Sequence, residues 1–187
     1  MSICGFCKCS SNYHEGLKGK TYGQTKLMFI AHRPDQRVNI EVLPSFDSYE
    51  IALSETKTGK NIGTLLKHCN LSLDNIFWTN LFKCVLLENR PPNKEEYLFC
   101  VNNHLNLQIE EANPNLIVGL GSQVYKILFP DLVKEKKFEQ RIGDIVKYNQ
   151  RNVLIFPHPQ KISPPYCNLE KKKELFDLMK TTLEKFL

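Results

Sequence analysis

The sequence lacks the features of membrane, secreted and repeat proteins. Its 187 residues contain no apolar run long enough to cross a bilayer, and the first residues, MSICGFCKC, contain no apolar core of signal-peptide length. We find no internal repeat, no low-complexity segment and no Gly/Ser-rich linker. From these absences we expect a single domain over residues 1–187 that is intracellular (cytoplasmic), without a membrane partner and monomeric.

The sequence also lacks a Gly-x-x-x-x-Gly-Lys-Ser/Thr phosphate loop, which disfavours an unrelated nucleotide-binding α/β protein. Neither charge sign dominates, since 25 basic and 20 acidic residues give a formal net charge of +5. This mildly basic balance is compatible with binding a polyanion but does not establish it. The hydrophobic content of 42% and charged content of 24% are typical of a globular protein.

Seven cysteines are present, and an odd number in a reducing compartment indicates metal ligands or buried thiols rather than disulfides. Cys4 and Cys7 form one pair, and Cys84 and Cys100 form a second. Four thiolates from two parts of a chain can hold a tetrahedral zinc ion or an iron–sulfur cluster. The alternative is that they are separate core cysteines, because free cysteine is often buried.

Four short apolar runs recur along the chain, and helical patterns separate them. Each run is rich in β-branched or aromatic residues without polar alternation, as in strands buried on both faces. The runs are Leu27–Ala31, Asn75–Thr79, Asn115–Leu120 and Asn152–Phe156. Helical patterns include GTLLKHC, KEEYLFCVNNHLNLQIEEA, SQVYKILFPDLVKE and a final helix over Leu169–Phe186. The alternation predicts an α/β fold, a three-layer α/β/α sandwich with a central four-stranded parallel sheet.

Polar residues follow the carboxyl end of each predicted strand, which is the edge where open parallel sheets bind ligands. They are His32, Arg33, Asp35, Asn80, Gly121, Ser122 and His158. We therefore expect an active site at this edge.

Several short motifs follow one another in a specific order over most of the chain. They are Cys4-x-x-Cys7, LMFIAHRPD, Gly59 to Leu66, Thr79-Asn80, Lys83-Cys84, Asn89-Arg90-Pro91, Glu96, Cys100, Leu120-Gly121, Arg141-x-Gly143 and His158-Pro159. With these motifs the chain resembles the uracil-DNA glycosylase superfamily, most closely its iron–sulfur branch, family 4.

The resemblance implies a cofactor with a structural role. Cys4, Cys7, Cys84 and Cys100 would hold a [4Fe–4S] cluster, with Cys9 as an alternative to Cys7. Zinc remains the competing metal, because four thiolates suit both.

The resemblance also implies DNA as the partner and hydrolysis of the bond between a flipped-out base and deoxyribose. His158 would donate a hydrogen bond to the carbonyl oxygen of the departing base, and Asn80 would recognise its Watson–Crick edge. Amides at Gly121 and Ser122 would face the DNA backbone.

Lys161 and Ile162, which follow the His-Pro motif, would also contact DNA. Lys161 would contact a phosphate, and Ile162 would insert as an apolar wedge.

The first motif departs from the family pattern, because His32 and Arg33 replace its carboxylate or amide positions. Three explanations compete. Asp35 or His32 orients the attacking water; stabilisation of the leaving group carries most of the catalysis; or activity is lost because a cation near the developing oxocarbenium is unfavourable.

The base pocket departs too, because Lys57 stands where relatives place a stacking phenylalanine. Phe46 is the only phenylalanine in the preceding loop and could stack or lie in the core. A wider, more polar pocket indicates a substrate larger than uracil. The predicted reaction is therefore removal of uracil, as the resemblance implies, or of a bulkier modified pyrimidine, including a glucosylated phage base that Lys57, Arg33 and His32 would bind. The alternative is a catalytically inactive DNA-binding module of the same fold.

Overall fold

The structure is a computed structural model, and it describes residues 17–34, 56–84, 90–162 and 167–187. Its centre is one six-stranded sheet. The strands are β1 (Leu17–Lys18), β2 (Leu27–Ala31), β3 (Ile76–Asn80), β4 (Leu116–Leu120), β5 (Ile145–Tyr148) and β6 (Arg151–Phe156). Their order across the sheet is β1-β3-β2-β4-β6-β5.

The central strands β3, β2, β4 and β6 run parallel, whereas β1 and β5 pair antiparallel at the two edges. The predicted α/β class and its four-stranded parallel centre are therefore confirmed. The two edge strands are an addition that the sequence patterns did not predict.

Seven α-helices surround the sheet in the described part of the chain. They are α1 (Tyr22–Thr25), α2 (Lys57–His68), α3 (Lys94–Cys100), α4 (Asn106–Ala112), α5 (Ser122–Leu128), α6 (Pro130–Glu135) and α7 (Leu169–Leu183). A π-helical turn, Val101–Leu105, joins α3 to α4, and short 3₁₀ turns occur at Leu73–Asn75, Phe138–Arg141 and Pro159–Lys161. The segment expected as one helical pattern around Pro130 is split into α5 and α6, because proline starts a helix well but cannot continue one.

The four parallel strands are largely buried on both faces, which gives the fold its three layers. In β2, Leu27 and Phe29 pack with residues of α2 and α7, whereas Met28 and Ile30 pack with residues of α3, α4 and α5. Alternate side chains of a strand point to opposite faces, so each face of the sheet carries its own hydrophobic core.

None of the helices within the described ranges combines the length and the apolarity needed to cross a bilayer.

Candidate active site

The loops that follow the four parallel strands meet at one edge of the sheet, as predicted. Ala31 at the end of β2 pairs in register with Asn80 at the end of β3. Beyond this pair, Leu81 donates its backbone N–H to the Ala31 carbonyl at 2.7 Å. Gly121, after β4, donates its N–H to the carbonyl of Phe156, the last residue of β6, at 2.8 Å. Backbone hydrogen bonds thus hold the predicted polar residues at a common edge.

His158 is a neutral hydrogen-bond donor at this edge. Its Nδ1 lies 3.3 Å from the backbone nitrogen of Gln160, and a backbone N–H can only donate, so Nδ1 is the acceptor. Burial, together with the charge of Lys161, lowers the pKa of His158 from 6.5 to about 4. At neutral pH the imidazole therefore carries one proton, on Nε2, and that N–H is its remaining donor.

Gly121 is required where it lies, directly against His158. Its φ of 90° and ψ of 168° fall in a region that is almost restricted to glycine. A Cβ atom at this position would lie 3.1 Å from Cβ of His158. The glycine therefore lets the end of β4 pass close to the histidine loop.

His32, after β2, is held by a residue that the sequence motifs did not indicate. Its Nε2 is hydrogen-bonded to the hydroxyl of Tyr97 on α3, and the two rings stack with centroids 5.7 Å apart at 24°. Burial lowers the pKa of His32 to about 4, with smaller contributions from Arg33 and His158. His32 is therefore also neutral at pH 7.

Arg33 points its guanidinium to the segment that precedes α3. Its Nη1 donates to the backbone carbonyl of Arg90 at 3.2 Å. The Arg90 guanidinium in turn binds both carboxylate oxygens of Glu96, at 2.8 and 2.5 Å. Glu96 is buried, and its hydrogen bond to Arg90 holds its pKa below the usual value. These contacts connect the β2 loop to the start of α3.

Asn80 contributes a buried amide at the end of β3. Its side chain is 2% exposed, and Nδ2 has no hydrogen-bond partner among the residues that the structure describes. Leaving a buried donor unsatisfied costs about 1–3 kcal/mol. A ligand that supplies an acceptor oxygen at this position would satisfy the donor.

The thiols of Cys84 and Cys100 have the burial and the environment of soft-metal ligands. They are 2% and 0% exposed, belong to the same hydrophobic cluster and form no disulfide. Two thiols are half of a four-thiolate site, and the described ranges hold no group of three or more metal-binding side chains. The other predicted ligands, Cys4 and Cys7, and the alternative Cys9 lie outside the described residues.

Lys83, next to Cys84, is fully buried in a polar cluster on the same face of the sheet. Its ammonium group donates to the Thr79 hydroxyl at 2.6 Å and to the Gln108 side-chain oxygen at 2.5 Å. Burial lowers the pKa of Lys83 to about 7, and Cys100 acts in the opposite direction. In its protonated form, Lys83 would favour the thiolate form of Cys100, which is the form that a metal requires.

The residues expected to contact DNA or the flipped base lie on three different elements. Lys161 is exposed beside His158, and Ser122 begins α5 directly after Gly121. Lys57 is exposed on the first turn of α2, one turn before Asn61, whose side chain donates to the Pro159 carbonyl at 2.8 Å. This bond brings the start of α2 to the edge of the site.

The wedge assigned to Ile162 is not supported by its placement. Its side chain is 1% exposed and packs in the core on the α2 and α7 face. An intercalating side chain must project from the surface, so this residue stabilises the fold instead. Asp35 and Phe46 lie outside the described residues, and their assigned roles stay predictions.

Comparisons with known proteins find a matching family and several similar sequences. The model of the family described as "Uracil DNA glycosylase superfamily" matches residues 18–182. A type-4 uracil-DNA glycosylase from Saccharolobus solfataricus is 28% identical, over 98% of this chain and 87% of the relative. Proteins of the same name from Sulfurisphaera tokodaii and Archaeoglobus fulgidus are 25% and 27% identical, over 83% and 85% of this chain and 69% and 76% of the relatives.

Proposed function

The chain belongs to the uracil DNA glycosylase superfamily, and from this premise we propose that it is an enzyme that hydrolyses the N-glycosidic bond of uracil in DNA. In this reaction the bond between C1′ and the base breaks, and its electron pair leaves with the base. The oxygen of a water molecule bonds to C1′, and the proton that it loses balances the charge of the base. The products are free base and an abasic site, the starting point of base-excision repair.

The observation that carries this proposal is Nδ2 of Asn80, which is buried and has no hydrogen-bond partner among the described residues. A uracil flipped into the site offers carbonyl oxygens as acceptors and an imide N–H as a donor. The side-chain amide of Asn80 offers one donor and one acceptor in a plane, which matches that edge. An acceptor oxygen of the base would satisfy this buried donor and offset the cost of its burial.

His158 would stabilise the departing base. As the C1′–N bond breaks, negative charge develops on a base carbonyl oxygen, and an N–H already oriented there stabilises it without reorganisation. The Gln160 N–H occupies Nδ1 and leaves Nε2–H as the available donor. A single donor of this kind contributes about 10²- to 10³-fold to the rate.

The unusual first motif is compatible with catalysis. Loss of activity was suggested by the cations that the motif would place near the oxocarbenium, yet His32 is neutral at pH 7 because its pKa is about 4. The Arg33 guanidinium donates to the Arg90 carbonyl. One of the two cations is thereby removed, because His32 is neutral, while Arg33 keeps its charge and directs it to the Arg90 carbonyl. Catalysis would then rest on stabilisation of the leaving group together with water held by His32 or Asp35.

DNA would be bound through its backbone at the same edge. The exposed Lys161 suits a phosphate, and the Gly121 and Ser122 segment would face the strand next to the flipped nucleotide. The enzyme would extrude the base at a cost of a few kcal/mol, which the contacts at Asn80 and His158 offset.

Cys84 and Cys100, together with Cys4 and Cys7, would hold a [4Fe–4S] cluster. When bound, the cluster supplies a cross-link between the N-terminus and the face of the sheet that carries α3, and it takes no part in hydrolysis. An anaerobic preparation should be brown, with about four iron atoms and four sulfides per chain. A colourless preparation with one zinc per chain would identify the competing metal.

A bulkier modified base, such as glucosylated hydroxymethylcytosine in phage DNA, is the second substrate candidate. It rests on the exposed Lys57 in place of a stacking phenylalanine. Arg33, one of the groups that it would use, already donates through Nη1 to the Arg90 carbonyl. The similar proteins are named uracil-DNA glycosylases, so uracil is the favoured substrate.

The test is single-turnover excision from duplexes containing uracil, hypoxanthine or glucosylated hydroxymethylcytosine, scored as abasic sites. We expect uracil release, with a loss of about 10²-fold for Asn80→Ala and for His158→Ala. Asn103→Ala is the matched control, since this exposed amide on the π-helical turn donates to the Phe99 carbonyl of α3 at 3.0 Å. DNA binding that persists without release of any base would instead indicate the inactive module.

A further inference from the structure

The pair formed by His32 and Tyr97 joins two elements that the sequence motifs treat separately. His32 follows β2 in the first motif, and Tyr97 lies on α3 between Glu96 and Cys100 of later motifs. The tyrosine hydroxyl is hydrogen-bonded to Nε2 of the imidazole, and the rings stack at 24°. Both a polar and a ring contact therefore fix the histidine.

Tyr97 is itself held rigidly. A capping box starts α3, in which the Asn93 side chain accepts from the Glu96 N–H at 2.9 Å and the Glu96 carboxylate accepts from the Asn93 N–H at 2.8 Å. The ring of Phe82, from the loop after β3, packs edge-on against the Tyr97 ring with centroids 5.9 Å apart. The capping box thus stabilises the first turn of α3, and Phe82 restricts the Tyr97 side chain that carries the hydroxyl.

We propose that Tyr97 is a positioning residue for the glycosylase reaction, whose hydroxyl donates to Nε2 of His32 and fixes the imidazole as the tautomer protonated on Nδ1. With Nε2 occupied, Nδ1–H is the remaining polar group of the ring and would be the one offered to a water molecule or the DNA. The pair thereby supplies one oriented, uncharged donor where relatives carry a carboxylate or an amide.

The direction of this hydrogen bond follows from the acidity of its partners. A phenol is a stronger donor than a neutral imidazole N–H, and burial raises the pKa of the Tyr97 hydroxyl, so the hydroxyl keeps its proton. The low pKa of His32 means that the ring does not take a second proton at neutral pH. With both groups neutral, the arrangement O–H···Nε2 pairs the stronger donor with the stronger acceptor and is therefore the favoured one.

The experiment uses the full chain and the variant Tyr97→Phe, which removes the hydroxyl and keeps the ring contacts. ¹⁵N-labelled histidine reports which nitrogen of His32 is protonated, and the His32→Gln variant assigns the signal. We expect a single Nδ1–H tautomer in the natural protein and a rise of the Nε2–H form in Tyr97→Phe. Tyr148→Phe is the matched control, because that hydroxyl donates to Asn106 Oδ1 at 2.9 Å, on a different element.

The rate measurement rests on the proposed function, whereas the tautomer measurement does not. Uracil excision at single turnover should fall about five- to tenfold in Tyr97→Phe and stay unchanged in Tyr148→Phe. In a His32→Gln background, Tyr97→Phe should cause no further loss, because it acts through the histidine.

The outcomes separate the two ideas. An Nε2–H tautomer in the natural protein, or the same tautomer with and without the hydroxyl, would overturn the role of Tyr97 whatever the activity. A loss of rate that persists in the His32→Gln background would show that Tyr97 acts only on the structure. Absence of uracil release with the expected tautomer change would refute the proposed function and leave the pairing established.

Discussion

Replacing Gly121 with alanine is expected to destabilise the fold and to slow catalysis together. The backbone at Gly121, with φ 90° and ψ 168°, lies where residues other than glycine are strained by about 1–3 kcal/mol. The new Cβ would also meet Cβ of His158 at 3.1 Å, an atom next to the backbone that cannot rotate away. We therefore expect a loss of about 2 kcal/mol, or about 4–8 °C in Tm for a chain of this length.

The effect on catalysis follows from the same contact. To relieve it, the His158 loop must move by a few tenths of an ångström, and a displacement of about 1 Å in an active site can cost about 10²-fold in rate. We expect about a tenfold slower single-turnover excision of uracil, measured under conditions in which the variant remains folded.

Gly63→Ala is the matched control. Gly63 is exposed within α2, and a Cβ there would meet no atom within 4 Å. Alanine should stabilise this helix by about 1 kcal/mol, because glycine is the poorer helix former, and activity should not change. If Gly121→Ala matches the natural protein in both Tm and rate, the proposed constraint at the end of β4 is wrong.

Two further predictions concern the histidines and the cysteines. Because the folded pKa values of His32 and His158 are about 4 against an ordinary 6.5, the unfolded chain binds more protons between these values. The free energy of unfolding should therefore fall as pH drops from about 6.5 to 4, by about 1.4 kcal/mol per pH unit for each histidine. When this free energy is measured by denaturant titration at several pH values, it should depend less steeply on pH in His158→Gln than in the natural protein. Cys84→Ser and Cys100→Ser should each abolish bound metal in elemental analysis and lower Tm. Cys69 is a free and half-buried thiol, so Cys69→Ser should change neither the metal content nor Tm. Normal metal content in Cys100→Ser would exclude this cysteine as a ligand.

The parallel centre of the fold could be predicted from the sequence because its strands are buried on both faces. Such strands are continuous apolar runs, and β2 was predicted with its observed bounds, Leu27–Ala31. The edge strand β5 has half its residues exposed, and its turn into β6 uses Asn149 and Gln150 at positive φ rather than glycine. Neither the apolar run nor the usual turn signal was present to mark it.

The site could be predicted only in part, because the sequence pattern shows strand ends but not how the helices dock against them. Asn80 and His158 stand at strand ends, where the topology alone brings them to one edge. Tyr97 is an aromatic residue at helical spacing, a pattern that indicates core packing, and its hydroxyl contact depends on how α3 docks against the β2 loop. Ile162 was assigned to the DNA surface because an apolar side chain after the His-Pro motif suits a wedge as well as a core, and only its 1% exposure distinguishes them.

The electrostatics of the site reconcile a basic protein with chemistry that avoids cations at the sugar. DNA binding requires positive charge near the phosphates, yet a protonated histidine beside C1′ would oppose the oxocarbenium. Burial is the largest cause of the low pKa of both His32 and His158, and the charges of Arg33 and Lys161 add to it. When a phosphate neutralises Lys161, the smaller cause of the low pKa of His158 is lost. The bound nucleotide, however, excludes more water and so strengthens the larger cause, which is burial. Both histidines are therefore expected to remain neutral donors through DNA binding, so that neither adds a positive charge beside the reacting bond.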